Sequence, residues 1–285
     1  MTASAEFTII QAHNTIIALE GISGMRHVQS CAIALTLLAG AVSAQEQRPA
    51  RIAGQPNFNG IWQALNTANW NLEAHAASAL DEYWQLGSIG AIPPGRSVVV
   101  GGRIPYLPEA AAQREEFRAS WPDSDPETFC YLPGIPRASY MPYAFQIVQD
   151  GGDILFVYEY ASANRLVAME EHLEPPVDTW MGQSNGRWDG DTLVIETYGF
   201  NGRAHLDRSG NHMSPAAVVT ERLTLTTPDH VDYEVEVNDP RTFSEPWTMR
   251  MPLYRRIEPY AQLMEFKCVP FVEEKLYKDL ELPEQ

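Results

Sequence analysis

Glu159, Arg165 and His172 stand close together in the chain, and Glu196, Tyr143 and Tyr158 are further polar side chains among apolar neighbours. Their types suit proton transfer on a small acidic molecule. Arginine presents a planar fork that matches a carboxylate. A carboxylic acid set in a dry wall has a raised pKa and can act as acid or base. Histidine exchanges protons near neutral pH. Together these residues predict a cofactor-independent lyase (a decarboxylase) or isomerase acting on a small aromatic or phenolic carboxylate. Arg165 would grip the carboxylate, and Glu159 or Glu196 would move a proton. His172, or a pocket tyrosine such as Tyr143 or Tyr158, would polarise the phenol. The alternative is a periplasmic binding or carrier protein with the same aromatic pocket and no chemistry. Placement separates the two. An enzyme should bring Glu159, Arg165 and His172 into one cavity, whereas a carrier should leave them outside a mostly apolar one. A structural Glu159–Arg165 pair with a surface histidine is the non-functional reading of the same residues.

Other chemistries lack their signatures. There is no G-x-S-x-G elbow, H-E-x-x-H, phosphate-binding loop or G-x-G-x-x-G. No cofactor is expected. His205, Asp207 and His212 share the polar loop AHLDRSGNH and could serve a metal-dependent hydrolase. They lack the spacing of a helical or strand-borne metal site, so a solvated loop is the expectation and no metal ligand is assigned.

The elements that must position these residues are mostly strands. Tyr143–Gln149, Ile154–Tyr160, Asn164–Met169, Thr192–Tyr198, Val218–Thr226 and His230–Val237 read as short strands, with Thr242–Ile257 and Gln262–Cys268 completing the set. Turn signals at Asp150-Gly151-Gly152-Asp153 and Asp189-Gly190-Asp191 join them as hairpins. In His230–Val237 the residues Val231, Tyr233, Val235 and Val237 share a dry face, and the charged residues between them share a wet one. Ile154–Tyr160 is apolar on both faces and is expected to be covered on both sides. The fold class is all-β: an antiparallel lipocalin-like β-barrel, or a β-sandwich, of about nine or ten strands. A partly helical insertion at about 63–130 precedes most of it. Within that insertion, Asn71–Leu86 has helical spacing, and Pro108–Ala119 has the proline, acidic start and basic end of a helix.

The chain has 285 residues, with 20 Lys+Arg against 37 Asp+Glu and a net charge of −17. That balance argues against nucleic-acid and anionic-lipid partners. With 45 % hydrophobic residues the composition is that of a globular protein, not a disordered one. Residues 26–44 (RHVQSCAIALTLLAGAVSA) read as a secretory signal peptide. The stretch has a basic start, an apolar run too short to span a bilayer, and a small-residue end before Gln45. Translation is expected to start at Met25, which makes residues 1–24 an upstream extension. Residues 45–285 form a single domain, periplasmic or secreted, with no membrane attachment after cleavage. Self-association is compatible with the sequence. Cleavage leaves two cysteines, Cys130 and Cys268. In an oxidising compartment they are expected to form a disulfide, two free thiols being the alternative.

A resemblance spans about half the chain. Its residues are Cys130 with Leu132-Pro133-Gly134-Ile135-Pro136-Arg137, then Phe145–Gln149, Tyr158-Glu159, Arg165 and His172. The strongest run is Trp180–Thr197, containing GRWDGDTLVIET, followed by Gly199-Phe200-Asn201, Glu221-Arg222, Asp239-Pro240 and Pro246-Trp247-Thr248. In these the chain resembles a widespread family of uncharacterised exported bacterial proteins. The resemblance implies export and a shared fold, and names no reaction. Where that family often has His-Pro, His172 here precedes Leu173-Glu174-Pro175-Pro176. Separately, Gly60-Ile61-Trp62 resembles the G-x-W opening of lipocalin-type barrels, and Gly186-Arg187-Trp188 repeats the spacing. That likeness implies structural roles for Trp62 and Trp188. Phenolic-acid decarboxylases with lipocalin-like barrels make the lyase reading an analogy of fold.

Overall fold

In a closed sheet every second side chain faces the interior, so alternation along each strand sorts inward from outward positions. The computed structural model describes residues 49–80 and 91–266. Nine strands form one closed barrel: β1 (Gly60–Ala64), β2 (Phe145–Val148), β3 (Ile154–Tyr158), β4 (Asn164–Ala168), β5 (Gln183–Asp189), β6 (Thr192–Tyr198), β7 (Val218–Thr227), β8 (His230–Asn238) and β9 (Trp247–Arg255). They neighbour one another in chain order, and β9 closes onto β1 through Leu253 opposite Ala64. The sandwich alternative is thereby replaced by the barrel.

An odd ring cannot alternate direction throughout, so one pair must be parallel. That pair is β4–β5, with Val167 opposite Ser184 and Ala168 opposite Asn185. Every other neighbouring pair is antiparallel, as expected, although residues 65–144 separate β1 from β2 and residues 199–217 separate β6 from β7. Asn185 and Tyr198 both hold the crossover that makes β5 parallel, Tyr198 through His172 (2.6 Å) and Leu173 O (3.3 Å). Asn185 accepts from Leu173 N (2.8 Å) and donates to Leu173 O (3.0 Å), doing for the crossover what a paired strand would do.

The barrel interior is filled by Trp62, Phe145, Phe156, Leu193, Tyr233 and Met249 with their neighbours. Trp62 is fully buried and donates from Nε1 to Phe58 O (2.8 Å). The Arg255 guanidinium lies 4.1 Å from its ring centroid and donates to the carbonyls of Asn57, Asn59 and Pro228. Gly60 is glycine because a Cβ there would run into that guanidinium. Trp188 is half-buried, its ring 6.0 Å from Phe58.

Outside the barrel, α1 (Pro108–Ala119) forms as its end residues dictate, with Pro at its start, Glu109 in its first turn and Arg118 in its last. The other expected helix does not form over its described part. Asn71 Oδ1 accepts the Glu73 N–H (2.9 Å) and Leu72 N donates to Asp207 (2.8 Å), so groups a helix would use are taken locally. His75 instead pairs with Gly95, and Ser78–Ala79 pairs with Ala91–Ile92. Residues 81–86 lie outside the described residues, as do the signal segment and Cys268. The expected strand at Gln262–Cys268 is likewise absent over 262–266. The last barrel strand begins at Trp247, not Thr242, because Asp239 folds the chain back on itself. Its carboxylate accepts from Ser214 N (2.6 Å), Ser214 Oγ (2.8 Å) and Arg241 N (3.1 Å).

Candidate functional site: a polar cluster inside the barrel

Inward alternation on β3 and β4 sends Tyr158 and Arg165 into an interior that is otherwise apolar. Arg165 is 3 % exposed. It donates from Nε to Ser184 Oγ (2.7 Å), and from Nη2 to Thr197 Oγ1 (2.8 Å) and to Glu221 Oε2. Glu221, 1 % exposed, reaches in from β7, and its other oxygen accepts from Tyr233 on β8 (2.6 Å). Five strands thus hold one ion pair. The register places Ser184 opposite Thr197 on neighbouring strands, and their hydroxyls are 3.0 Å apart.

One group in this cluster has unused capacity: Arg165 Nη1 has no hydrogen-bond partner among the described residues. The Tyr158 hydroxyl touches Ser139 Oγ at 3.5 Å and also engages the Arg165 side chain. Burial opposes charge on Arg165, but Glu221 and the surrounding hydroxyls outweigh it and push its pKa up. Burial raises Tyr158, against the pull of the nearby guanidinium. Tyr233 is raised well above its ordinary value by burial and then by the Glu221 charge. Both phenols therefore stay protonated as donors. The Phe156 ring lies 5.4 Å from the guanidinium carbon.

Ser139 arrives from a short 3-10 turn, Arg137–Ser139. Arg137, two residues before it, enters a second buried network. It donates to both oxygens of Asp125 (2.8 Å each), to Glu127 (2.5 Å) and to Asn69 (3.0 Å), while Arg208 takes Glu127 from the other side (2.7 and 2.9 Å). The Arg137 charge holds Asp125 below the usual carboxylate range despite burial. This network fixes the turn that carries Ser139.

The remaining predicted site residues lie elsewhere. Glu159 follows β3 on the outward side of the alternation. It does not face Arg165, and it accepts from Met264 N (3.1 Å). His172 is exposed in the β4–β5 crossover, 2.6 Å from the Tyr198 hydroxyl and 3.6 Å from Glu174. Glu196 is half-buried on β6, alternating with the inward Ile195 and Thr197. Tyr143 is half-buried before β2, its ring 5.6 Å from Tyr160 and 5.1 Å from Phe266. The predicted set is therefore split, with Arg165 and Tyr158 inside the barrel and Glu159, His172, Glu196 and Tyr143 away from them. The interior carboxylate is Glu221, which reasoning from sequence passed over as a site residue. Its signal was a lone acid in the apolar row Val219, Glu221, Leu223.

The loop of His205, Asp207 and His212 is not the solvated one expected: His205, Asp207 and Asn211 are buried, and His205 pairs with His212 across the turn. Asp207 is filled by the N–H groups of Leu72, Ser209 and Asn211 and by Asn211 Nδ2. His205 packs on Phe117 (4.5 Å) and lies 4.0 Å from Asp125. Among the described residues no group of three or more His, Cys, Asp or Glu is arranged to hold a metal ion. The described residues thus form a closed nine-stranded barrel with a buried Arg–Glu pair inside it. No protein-family model matches it, and no curated protein does.

Proposed function

We propose that the protein is an exported binding or carrier protein for a small aromatic or phenolic carboxylate, held inside the barrel at Arg165. One observation carries this reading: a guanidinium N–H with no hydrogen-bond partner among the described residues, buried among aromatic rings and tyrosine hydroxyls. An orphaned buried donor is costly, and a ligand oxygen seated there would remove the cost. A carboxylate suits the arginine fork, and the Tyr158 hydroxyl offers it a second hydrogen bond. The outward placement of Glu159, Glu196 and His172 favours binding over chemistry, because it leaves the interior without a separate acid and base.

A lyase or isomerase reading survives on one contact, the 2.6 Å hydrogen bond from Tyr233 to Glu221. Proton transfer to a bound aromatic acid would then pass through Tyr233 and Glu221, with Arg165 holding the carboxylate. The test is a panel of hydroxybenzoates and hydroxycinnamates with their methyl esters, followed by thermal shift and by chromatography for product. Binding of acids but not esters, with no product, supports the carrier. Product that disappears with Glu221→Gln moves the assignment to the lyase or isomerase. If no acid binds, or if Arg165→Lys binds acids as well as the parent, the site is not at Arg165.

A further inference from the structure

One mouth of the barrel holds a cavity of about 170 Å³ that takes no part in the Arg165 cluster. Gln149, Gly152 and Ile154 line it from the β2–β3 connection, and Trp188 lines it from the end of β5. A two-stranded hairpin, Arg51–Ile52 with Gln55–Pro56, contributes Ile52 and Ala53 as the facing wall. Arg51 ties that hairpin down by donating to both oxygens of Asp191 (3.0 and 2.8 Å). Gln149 is 5 % exposed, and only half of its amide is used. Its Oε1 accepts from Phe58 N (3.0 Å), which fixes the orientation of the carboxamide. Asn59 clasps the Gln149 backbone from both sides (2.6 and 2.8 Å), so the residue cannot turn away. Nε2 donates to no group among the described residues and is left for the cavity.

These features define the occupant. The volume is that of one six-membered ring, since a protein cavity of about 150 Å³ holds benzene. The spare amide N–H calls for an oxygen acceptor and opposes a cation. Exposed carboxylates at Asp150, Asp153 and Asp189 adjoin lining residues in the chain, and they oppose an anion. Asp150 Oδ1 accepts from Gly152 N (3.1 Å), which holds a hydroxyl acceptor at the rim. Trp188 adds a broad apolar face. A neutral ring with one apolar face and several hydroxyls meets all of these conditions. We propose that the mouth cavity binds one neutral sugar ring, its apolar face against Trp188 and one of its oxygens accepting from Gln149 Nε2. The site is separate from the one proposed at Arg165 and does not rest on it.

The test is titration of the purified protein with methyl glucoside, methyl galactoside and methyl mannoside, read by NMR at the tryptophan indole N–H signals. Trp188→Phe identifies the Trp188 signal. At least one glycoside should shift that signal saturably in the millimolar range. Gln149→Glu keeps the acceptor for Phe58 N and removes the donor, and it should weaken binding about tenfold. Gly152→Leu should abolish binding. A Cβ at Gly152 meets only Asp150 Oδ1, at 3.7 Å, so the larger side chain fills the cavity without strain. Unchanged signals from the other indoles show that the variants are folded. The proposal is overturned if no glycoside moves the Trp188 signal, or if Gly152→Leu binds as the parent does. It is also overturned if aromatic carboxylates move that signal and glycosides do not, because the cavity then belongs to the ligand of Arg165.

Discussion

Replacing Glu221 with Gln tests whether the barrel centre is a true buried ion pair. The change keeps the shape and removes the charge. Arg165 then keeps two hydroxyl partners, an Nη1 with no partner among the described residues and a positive charge at 3 % exposure. Breaking one side of a buried pair costs about 3–5 kcal/mol, because the surviving charge is left in a medium that solvates it poorly. At about 2–4 °C per kcal/mol for a chain of this size, the melting point should fall by roughly 6–20 °C. Arg165→Met combined with Glu221→Gln should recover most of that loss, since no charge then remains to be solvated. Urea unfolding gives the comparison, provided the slope with denaturant is the same in all variants. A ligand arm adds to it: an aromatic carboxylate should raise the midpoint of the Glu221→Gln protein more than that of the parent, because it restores a negative charge beside Arg165. A single-variant loss below about 1 kcal/mol, the size of a surface pair, would show that water reaches the guanidinium and would refute the reasoning. A double variant no more stable than the single would do the same.

Burial pushes the His205 imidazole down to about 4. As pH falls below the ordinary histidine value, the unfolded chain takes up this proton while the fold does not. Stability is therefore full above about pH 6.5 and declines toward pH 4, by on the order of 3 kcal/mol. His205→Gln should flatten the urea midpoint across that window, and an unchanged slope would count against a buried neutral histidine. Cys130 and Cys268 are proposed to be bridged. Intact mass without reductant should be two hydrogens below the reduced mass, and reduction should cost about 4–5 kcal/mol by the loop-entropy model. Detection of two free thiols would remove the bridge. Trp62→Ala should cost about 3–5 kcal/mol, since a fully buried indole and its bond to Phe58 O are both lost. A loss within experimental error would mean that the barrel end is held by other contacts.

Period-two alternation made most of the barrel legible in the sequence. It located β6 to the residue and β7 and β8 to within one, because Val231, Tyr233, Val235 and Val237 leave no doubt which face is dry. The helix at Pro108–Ala119 was equally plain from its proline and end charges. What failed was decided by contacts distant in sequence. Asn71–Leu86 has helical spacing, yet over its described part Asp207, far along the chain, takes the Leu72 N–H, and the Gly95 backbone pairs with His75. The parallel β4–β5 pair was hidden for a similar reason. The crossover before it is held by Asn185 and Tyr198 on the Leu173 backbone, and no local pattern announces such contacts.

The site shows the same division more sharply. Glu159 and Arg165 are neighbours in sequence on adjoining strands, which made them look like partners. In a barrel, partnership follows the parity of positions and not their separation along the chain. Tyr158 and Arg165 fall on inward positions, and Glu159 falls one residue out of step, facing away. The carboxylate that meets Arg165 comes from β7, three strands round the ring from β4, on an inward position between Val219 and Leu223. Parity was readable for β7, where Val219, Leu223 and Leu225 make an apolar row that singles out Glu221. It was not readable for Ile154–Tyr160, which is apolar on both faces, nor for the short strand of Arg165, where Leu166 and Val167 point opposite ways. Which inward polar residues then touch depends on register and ring closure, and these are fixed by the whole barrel.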